Sequence, residues 1–305
     1  VTARVRVWRV DVGRIPLYLL DTNVPENPPE VRAVTDRLYG GDEQHRLRQE
    51  IVLGIGGVRA LRALGIHPQV FHMNEGHAGF LGLERVREWV DDGLSFAEAV
   101  EAVRAGGVFT THTPVPAGID RFPRELFERY FAGFAPKLGI SFDELFAIGT
   151  RADEPDGKFN MAVMGMNLAS RRNGVAALHG EVAREMFSGL WPQLDAHETP
   201  IGHITNGVHA RTWVSDRVDE LLSDVVGTGW HLAGEDDFAA VRSVDRAAVW
   251  DVRRQGRQEL VDLVRDRLGN DLLDPDVLTI GFARRFATYK RANLLLSQLE
   301  RLTSL

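Results

Sequence analysis

Apolar positions along this chain follow two rhythms, the two-residue alternation of strands and the three-to-four-residue spacing of helices. Two alternating strands open it, in VRVWRV and IPLYLLD. Glu43 to Leu64 then reads as a helix with Ile51, Ile55, Val58 and Leu61 on one side. Gly54, Gly56 and Gly57 interrupt that helix and predict close packing against a neighbour. They are not a dinucleotide fingerprint, because the third glycine is missing and no strand precedes them. Gln69 to Met73 predicts a short strand, Ala78 to Val90 a helix, and Gly107 to Thr111 another strand. Ser95 with Glu98 and Ser141 with Glu144 have the spacing of capping boxes. They open helices ending near Arg104 and Ile148.

Farther on, Asn160 to Ala169 and Val175 to Phe187 predict helices around an Asn173-Gly174 turn, and Ile201 to Thr205 a short strand. Asp216 to Val226 and Val244 to Leu268 are helical, Asp276 to Phe282 predicts a buried strand, and a helix is expected from Thr288. Short apolar strands spaced by helices imply an α/β fold, a mostly parallel sheet with helices on both faces. Gly269-Asn270-Asp271, with Asp274-Pro275 soon after, is the best linker and predicts a boundary between residues 1–270 and 271–305. The chain opens at Val1 without a methionine and stops just after its last strand, which predicts a partial chain with its start and much of a second domain missing.

Composition narrows the possibilities. The 305 residues are 44% hydrophobic and 26% charged, an ordinary globular balance. A net charge of −7 argues against general affinity for nucleic acid or an anionic membrane surface. With no cysteine, disulfides, thiolate metal sites and cysteine nucleophiles are excluded. No apolar run is long enough to span a bilayer and no secretory signal is visible, so the expected location is cytoplasmic.

Four polar segments follow expected strands, where ligands bind in such sheets. They are FHMNEGH from Phe71, THTPVPAG from Thr111, TNGVHARTW from Thr205 and ARRFATYKR from Ala283. The last crowds Arg284, Arg285, Lys290 and Arg291 between a strand end and a helix start. Cations are locally unfavourable at a helix start unless an anion sits among them, which points to a phosphate or carboxylate. A solvated basic helix face is the bland reading. His72, Glu75 and His77 match no common zinc spacing, so hydrogen bonding is expected of them and no metal. His112 taken alone reads better as a satisfied loop histidine than as a site residue, and Met161, Met164 and Met166 read as core filling. Asn and His at several strand ends, with Phe109 and Trp213 nearby, suit a polyhydroxylated ligand.

His72-Met-Asn-Glu-Gly-His77, Thr111-His-Thr-Pro114, Asn160-Met-Ala with Arg172-Asn173-Gly-Val175, Thr205-Asn-Gly-Val208 and Arg284-Arg-Phe-Ala-Thr-Tyr-Lys-Arg291 occur in that order. Together they resemble the α-glucan phosphorylases, the glycogen, starch and maltodextrin phosphorylase family, in spellings nearer its bacterial and archaeal branch. The resemblance spans about Leu38 to Ala292. It implies the glycosyltransferase type B arrangement, two doubly wound Rossmann-like domains, with much of the first and the start of the second present here. It implies a transferase of glycogen catabolism that releases α-glucose 1-phosphate, with retention, from the end of an α-1,4-glucan using inorganic phosphate. Pyridoxal phosphate is the implied cofactor, and its Schiff-base lysine is expected beyond Leu305, so the chain by itself is expected to be inactive. The family is commonly dimeric, which admits a homo-oligomer.

By position, Arg285 and Lys290, with Arg284 beside them, match the groups that hold substrate phosphate. His112 matches the histidine at the glucosyl site, and Asn173 the asparagine that bonds the glucosyl 6-hydroxyl. Glu75, His77, Thr113 and Asn206 fall among the substrate-binding positions. Glu75-Gly-His-Ala78 stands where many members have Asp-Thr-His-Pro, Thr111 replaces an asparagine, and Ala287-Thr288 replaces a His-Glu pair. A type B transferase using a sugar nucleotide and a non-catalytic carbohydrate-binding module remain the competing readings.

Overall fold

A computed structural model describes residues 3–38, 41–151, 156–284 and 288–304. The chain divides into two compact units, Val1–Asn206 and Gly207–Leu305.

The first unit opens with an antiparallel hairpin of β1 (Arg6–Val12) and β2 (Ile15–Asp21). Its register sets Trp8 opposite Leu19, Val10 opposite Leu17 and Val12 opposite Ile15, so both strands put their apolar residues on one face, and that face is exposed. The centre of the unit is a parallel sheet, in the order β3 (Phe71–Asn74), β4 (Gly107–Thr110), β7 (Arg171–Gly174), β8 (Gly202–His203). A short antiparallel pair, β5 (Arg121–Phe122) and β6 (Phe159–Asn160), stands apart from it.

The strand β7 corrects the expectation of a turn at Asn173-Gly174. Its residues, Arg-Arg-Asn-Gly, carry no apolar period, and pairing with β4 and β8 draws them into the ladder against their composition. Most other elements fall within a few residues of where the pattern puts them. Both capping boxes form, with Ser95 and Ser141 accepting from the backbone N–H of Glu98 and Glu144. The expected long helix is two segments, Glu43–Ile51 and Gly57–Ala63, joined by a wide π turn at Val52–Gly56. That turn lies against the helix Phe80–Asp91, where a Cβ on Gly54 would come within 2.7 Å of Phe80 Cβ and the Leu81 nitrogen. Arg59 on Glu84 and Arg62 on Glu88, each a two-pronged guanidinium–carboxylate contact, hold the same two helices together.

Two cores form. The larger is built on phenylalanine, with Phe127 stacked on Phe159 at 3.9 Å and on Phe131 at 4.3 Å between ring centroids. The smaller joins Met73 and Phe109 of the sheet to Ala162 and Met166 on the helix Met161–Asn167, and to Ala183 and Phe187 on Ala177–Phe187. Met161, Met164 and Met166 are fully buried, so they are core filling.

In the second unit, Asp216–Val225 and the long helix Arg246–Leu268 are bound by Arg217 on Glu259, and Gly269 ends the long helix at φ 66°. Residues 276–282 are not a buried strand. Val277, Leu278, Ile280 and Phe282 are all exposed, and among the described residues this unit has no strand to pair with them. A β-branched run alone cannot satisfy its backbone. The helix expected from Thr288 is three short turns, Thr288–Lys290, Leu295–Gln298 and Leu299–Thr303, with its leucines largely exposed. Among the described residues, no helix is long and apolar enough to cross a membrane.

The close approach at Gly54 has a measurable consequence. Gly54→Ala should lose about 1–3 kcal/mol to overpacking. Gly57→Ala, where nothing lies within 4 Å of the new methyl group, should be neutral or gain about 0.5–1 kcal/mol from helix entropy. Urea unfolding of the two variants checks the contrast.

Candidate active site

The sheet's register builds the site. Asn74 pairs with Thr110, Thr110 with Asn173 and Asn173 with Gly202, so the polar ends of three strands lie level at the carboxyl edge, beside the start of β8. A hydrogen-bonded row crosses them. The Thr110 hydroxyl donates to Asn173 Oδ1 at 3.0 Å and lies 2.8 Å from His72 Nε2. With that hydroxyl spent as a donor, His72 carries its proton on Nε2 and donates to it. Asn173 is buried and also donates from Nδ2 to the Gly174 carbonyl.

Above this row runs the segment Thr111–Thr113. Glu75 Oε2 accepts the backbone N–H of His112 at 2.7 Å and of Thr113 at 3.0 Å, and the Thr111 hydroxyl at 3.4 Å. From the other side His179, on the helix Ala177–Phe187, accepts the Val175 N–H at Nδ1, so its Nε2–H donates to the Thr113 carbonyl at 3.2 Å. The His112 ring is exposed, and burial of its polar atoms pulls its pKa down against the opposing pull of Glu75, favouring the neutral ring. Asn206 is tied by its backbone N–H to the Val175 carbonyl at 3.0 Å, with its side chain exposed.

His77 has a different setting. Its Nδ1 lies 3.1 Å from Asp120 and 3.6 Å from Glu50, while Arg46 reaches Asp120 at 3.1 Å and Glu50 at 3.3 Å. Hydrogen bonds to Asp120 and then Glu50 push the His77 pKa up to about 9, against the Arg46 guanidinium, whose Nη2 lies 2.5 Å from the same Nδ1. Burial pushes Glu50 up to about 8. Burial also acts to raise Asp120, but the bonds with His77, Glu50 and Arg46 outweigh it and hold that carboxyl well below the usual range. Ligand atoms of Glu50, His77 and Asp120 lie within 4.8 Å of one another, close enough for a metal ion. The Arg46 guanidinium occupies the cationic place among them.

In the second unit, Arg284 and Lys290 line one groove of about 540 Å³ with Phe282 and Tyr289, and Lys290 Nζ lies 4.5 Å from the Tyr289 ring centroid. Arg285 lies outside the described residues. A groove of about 860 Å³ opens at the amino ends of β3 and β4, beside Gln69, Phe71, Arg85 and Gly106. It faces away from the polar edge, and in parallel α/β sheets ligands are held at the carboxyl ends.

Sequence reading missed His179, Thr110 and the partners of His77. His179 sits four residues after Val175, one helical turn along, which was the available signal for its bond. Arg46, Glu50 and Asp120 are separated by tens of residues from His77 and nothing in their spacing announces the cluster.

A parallel sheet whose polar strand ends support a tied-down, histidine-bearing loop defines an α/β protein with a candidate site at the carboxyl edge. Residues 141–302 match the carbohydrate phosphorylase family, and the chain belongs to it. It is 49% identical to a glycogen phosphorylase of Mycobacterium tuberculosis (strain ATCC 25618 / H37Rv), over 99% of this chain and 38% of that protein. It is 41% identical to a maltodextrin phosphorylase of Thermococcus litoralis, over 97% of the chain and 37% of that protein. A glycogen phosphorylase of Aquifex aeolicus is 35% identical over 97% of the chain and 45% of its own length. The chain thus spans less than half the length of each of these relatives.

The His77 cluster sets a pH dependence. Glu50 binds a proton in the fold that it releases unfolded, so stability falls as pH climbs from the ordinary 4.5 to about 8. His77 contributes stability that is complete below 6.5 and lost as pH rises through about 9. Both slopes have the same sign. Glu50→Gln should remove the first, flattening thermal stability between about pH 5 and 8 and raising it at the alkaline end. Melts across that range decide it, and an unchanged slope would mean that Glu50 is ionised throughout.

Proposed function

We propose that this chain is part of an α-1,4-glucan phosphorylase, which splits the terminal glucosyl unit from glycogen or maltodextrin with inorganic phosphate and yields α-glucose 1-phosphate with retention. The observation that carries this reading is the family match over 141–302, a span that holds both Asn173 at the sheet edge and the basic run Arg284–Arg291. The names of the relatives support the glucan and phosphate as substrates.

In this reading residues 1–270 belong to the first doubly wound domain of a type B glycosyltransferase and 271–305 begin the second. Arg285 and Lys290, assisted by Arg284, bind the attacking phosphate. Bidentate guanidinium contact and the ammonium point charge suit a dianion entering a site of low dielectric. Asn173 binds a glucosyl hydroxyl, with Thr113, Asn206 and His77 nearby in the substrate-binding set. The neutral His112 contributes its ring to the sugar and its backbone carbonyl to the positive charge that develops at the anomeric carbon. The acidic chain with a local basic run fits capture of a small anion, in the cytoplasm and within a homo-oligomer.

Pyridoxal phosphate, as the family's cofactor, contributes its phosphate group to this chemistry. The three lysines of the chain do not fit its imine. Lys137 is exposed, Lys158 is paired with Glu43 at 3.2 Å, and Lys290 belongs to the basic run.

In the intact enzyme, Arg285→Ala and Lys290→Ala should each cut glucose 1-phosphate formation from maltodextrin by about 100- to 1000-fold, the usual loss for one preorganised electrostatic group. Maltodextrin binding should survive both changes. Glucosyl transfer from a sugar nucleotide to maltodextrin, with no phosphate-dependent product, would overturn the assignment.

A further inference from the structure

We infer that Glu75 is a positioning residue that clamps the segment Thr111–Thr113 and does not itself bind the sugar, an inference that rests on the proposed phosphorylase reading only for what the segment faces. The side chain is 5% exposed. Its Oε2 is occupied by the His112 N–H, the Thr113 N–H and the Thr111 hydroxyl, all from one segment. Its Oε1 is sealed from solvent and has no hydrogen-bond partner among the described residues. A carboxylate with one oxygen saturated and the other enclosed has no face to offer a ligand hydroxyl. Leaving Oε1 without a donor is itself unfavourable, so the carboxylate's place is dictated by the loop it holds.

The backbone bears the same mark. Glu75 sits at φ 65°, ψ −179°, a region almost confined to glycine and worth about 1–3 kcal/mol of strain for other residues. It is kept there from both ends. The Glu75 N–H donates to the Thr110 carbonyl at 2.8 Å, continuing the β3–β4 ladder past Asn74. The next residue, Gly76, lies so close to the helix Met161–Asn167 that a Cβ would meet Met161 Cβ at 2.8 Å. The chain therefore leaves β3 by a strained step whose result is to bring a carboxylate under the neighbouring strand's loop.

The clamp has a specific product. Glu75 takes the N–H groups of 112 and 113, and His179 supplies a donor to the carbonyl of 113. Among the described residues, no donor is spent on the His112 carbonyl between them. Its direction is fixed by peptide planes tied on both sides, and it is left as a free acceptor. The proposed function needs that carbonyl to meet positive charge at the anomeric carbon, and such a dipole works only when it is already oriented. Here a carboxylate at the end of the adjacent strand supplies the orientation through backbone hydrogen bonds. The Glu75 side chain reaches two consecutive N–H groups at 2.7 and 3.0 Å.

The test compares Glu75→Ala, which removes the acceptor, with Glu75→Gln, whose amide oxygen can take the same two N–H groups. Both are measured in the intact enzyme for kcat and KM in maltodextrin phosphorolysis, and for hydrogen exchange at the His112 and Thr113 amides. Loss of the clamp should lower kcat about 100-fold with KM for maltodextrin changed by less than about 3-fold, the pattern of a misaligned group rather than a lost contact. The two amides should exchange faster in the Ala variant. Glu75→Gln should restore amide protection and bring kcat within about 10-fold of the parent. If the Ala variant does not fold, Glu75→Met, an apolar side chain of similar length with no carboxylate to accept the two N–H groups, takes its place with the same readouts. A rise in KM as the main effect would overturn the inference, as would amides that stay protected in the Ala variant. A parent enzyme that forms no glucose 1-phosphate would instead remove the functional reading, and the amide exchange would still decide the clamp.

Discussion

The parallel pairing of β3, β4 and β7 is the constraint from which the candidate site follows. Parallel strands bond in one register only when their apolar sides meet the same core. Here Met73 and Phe109 enter that core and set the level of the residues beyond them. Asn74, Thr110 and Asn173 then end up side by side with no further instruction. A slip of one residue would turn these polar ends into the core and bring Met73 and Phe109 to the surface. The polar row, the Glu75 contacts and the His179 contact all hang on that ladder.

A second feature of the first unit is the concentration of charge beneath its surface. Arg46, Glu50, His77 and Asp120 share a small space in which two carboxyls are shifted in opposite directions, Glu50 up by burial and Asp120 down by its bonds to His77, Glu50 and Arg46. Glu50 has the deeper position and keeps its proton, while Asp120 faces the cations and stays ionised. Breaking such a cluster by removing one member leaves the others poorly compensated, so it holds His77 firmly in one protonation state and place. His77 follows Glu75 by two residues, which puts a rigid charged anchor just after the strained step out of β3.

Much of the first unit was legible from its sequence because its signals are local. Capping boxes at Ser95 and Ser141 depend on residues three apart, and the helices follow from an apolar spacing that survives in the fold. The glycine at 54 announced a close contact, although not its partner. The strand β7 was illegible for the opposite reason. Arg171 to Gly174 has no preference of its own for extended structure and takes it from strands more than twenty residues distant on either side. The run 276–282 shows the converse. Strong local preference formed no strand where, among the described residues, its unit offers no partner strand.

The order and kind of the helices, the polar character of the strand ends and the family resemblance were determined by the sequence alone, since all rest on residue type at short spacing. Tertiary structure alone decided which of the candidate residues act on one another. It joined Glu75 to the amides of His112 and Thr113, His179 to Thr113, and His77 to Arg46, Glu50 and Asp120. Such contacts depend on strand register and helix packing, which are settled by burial over the whole unit, so no short segment of the chain contains them.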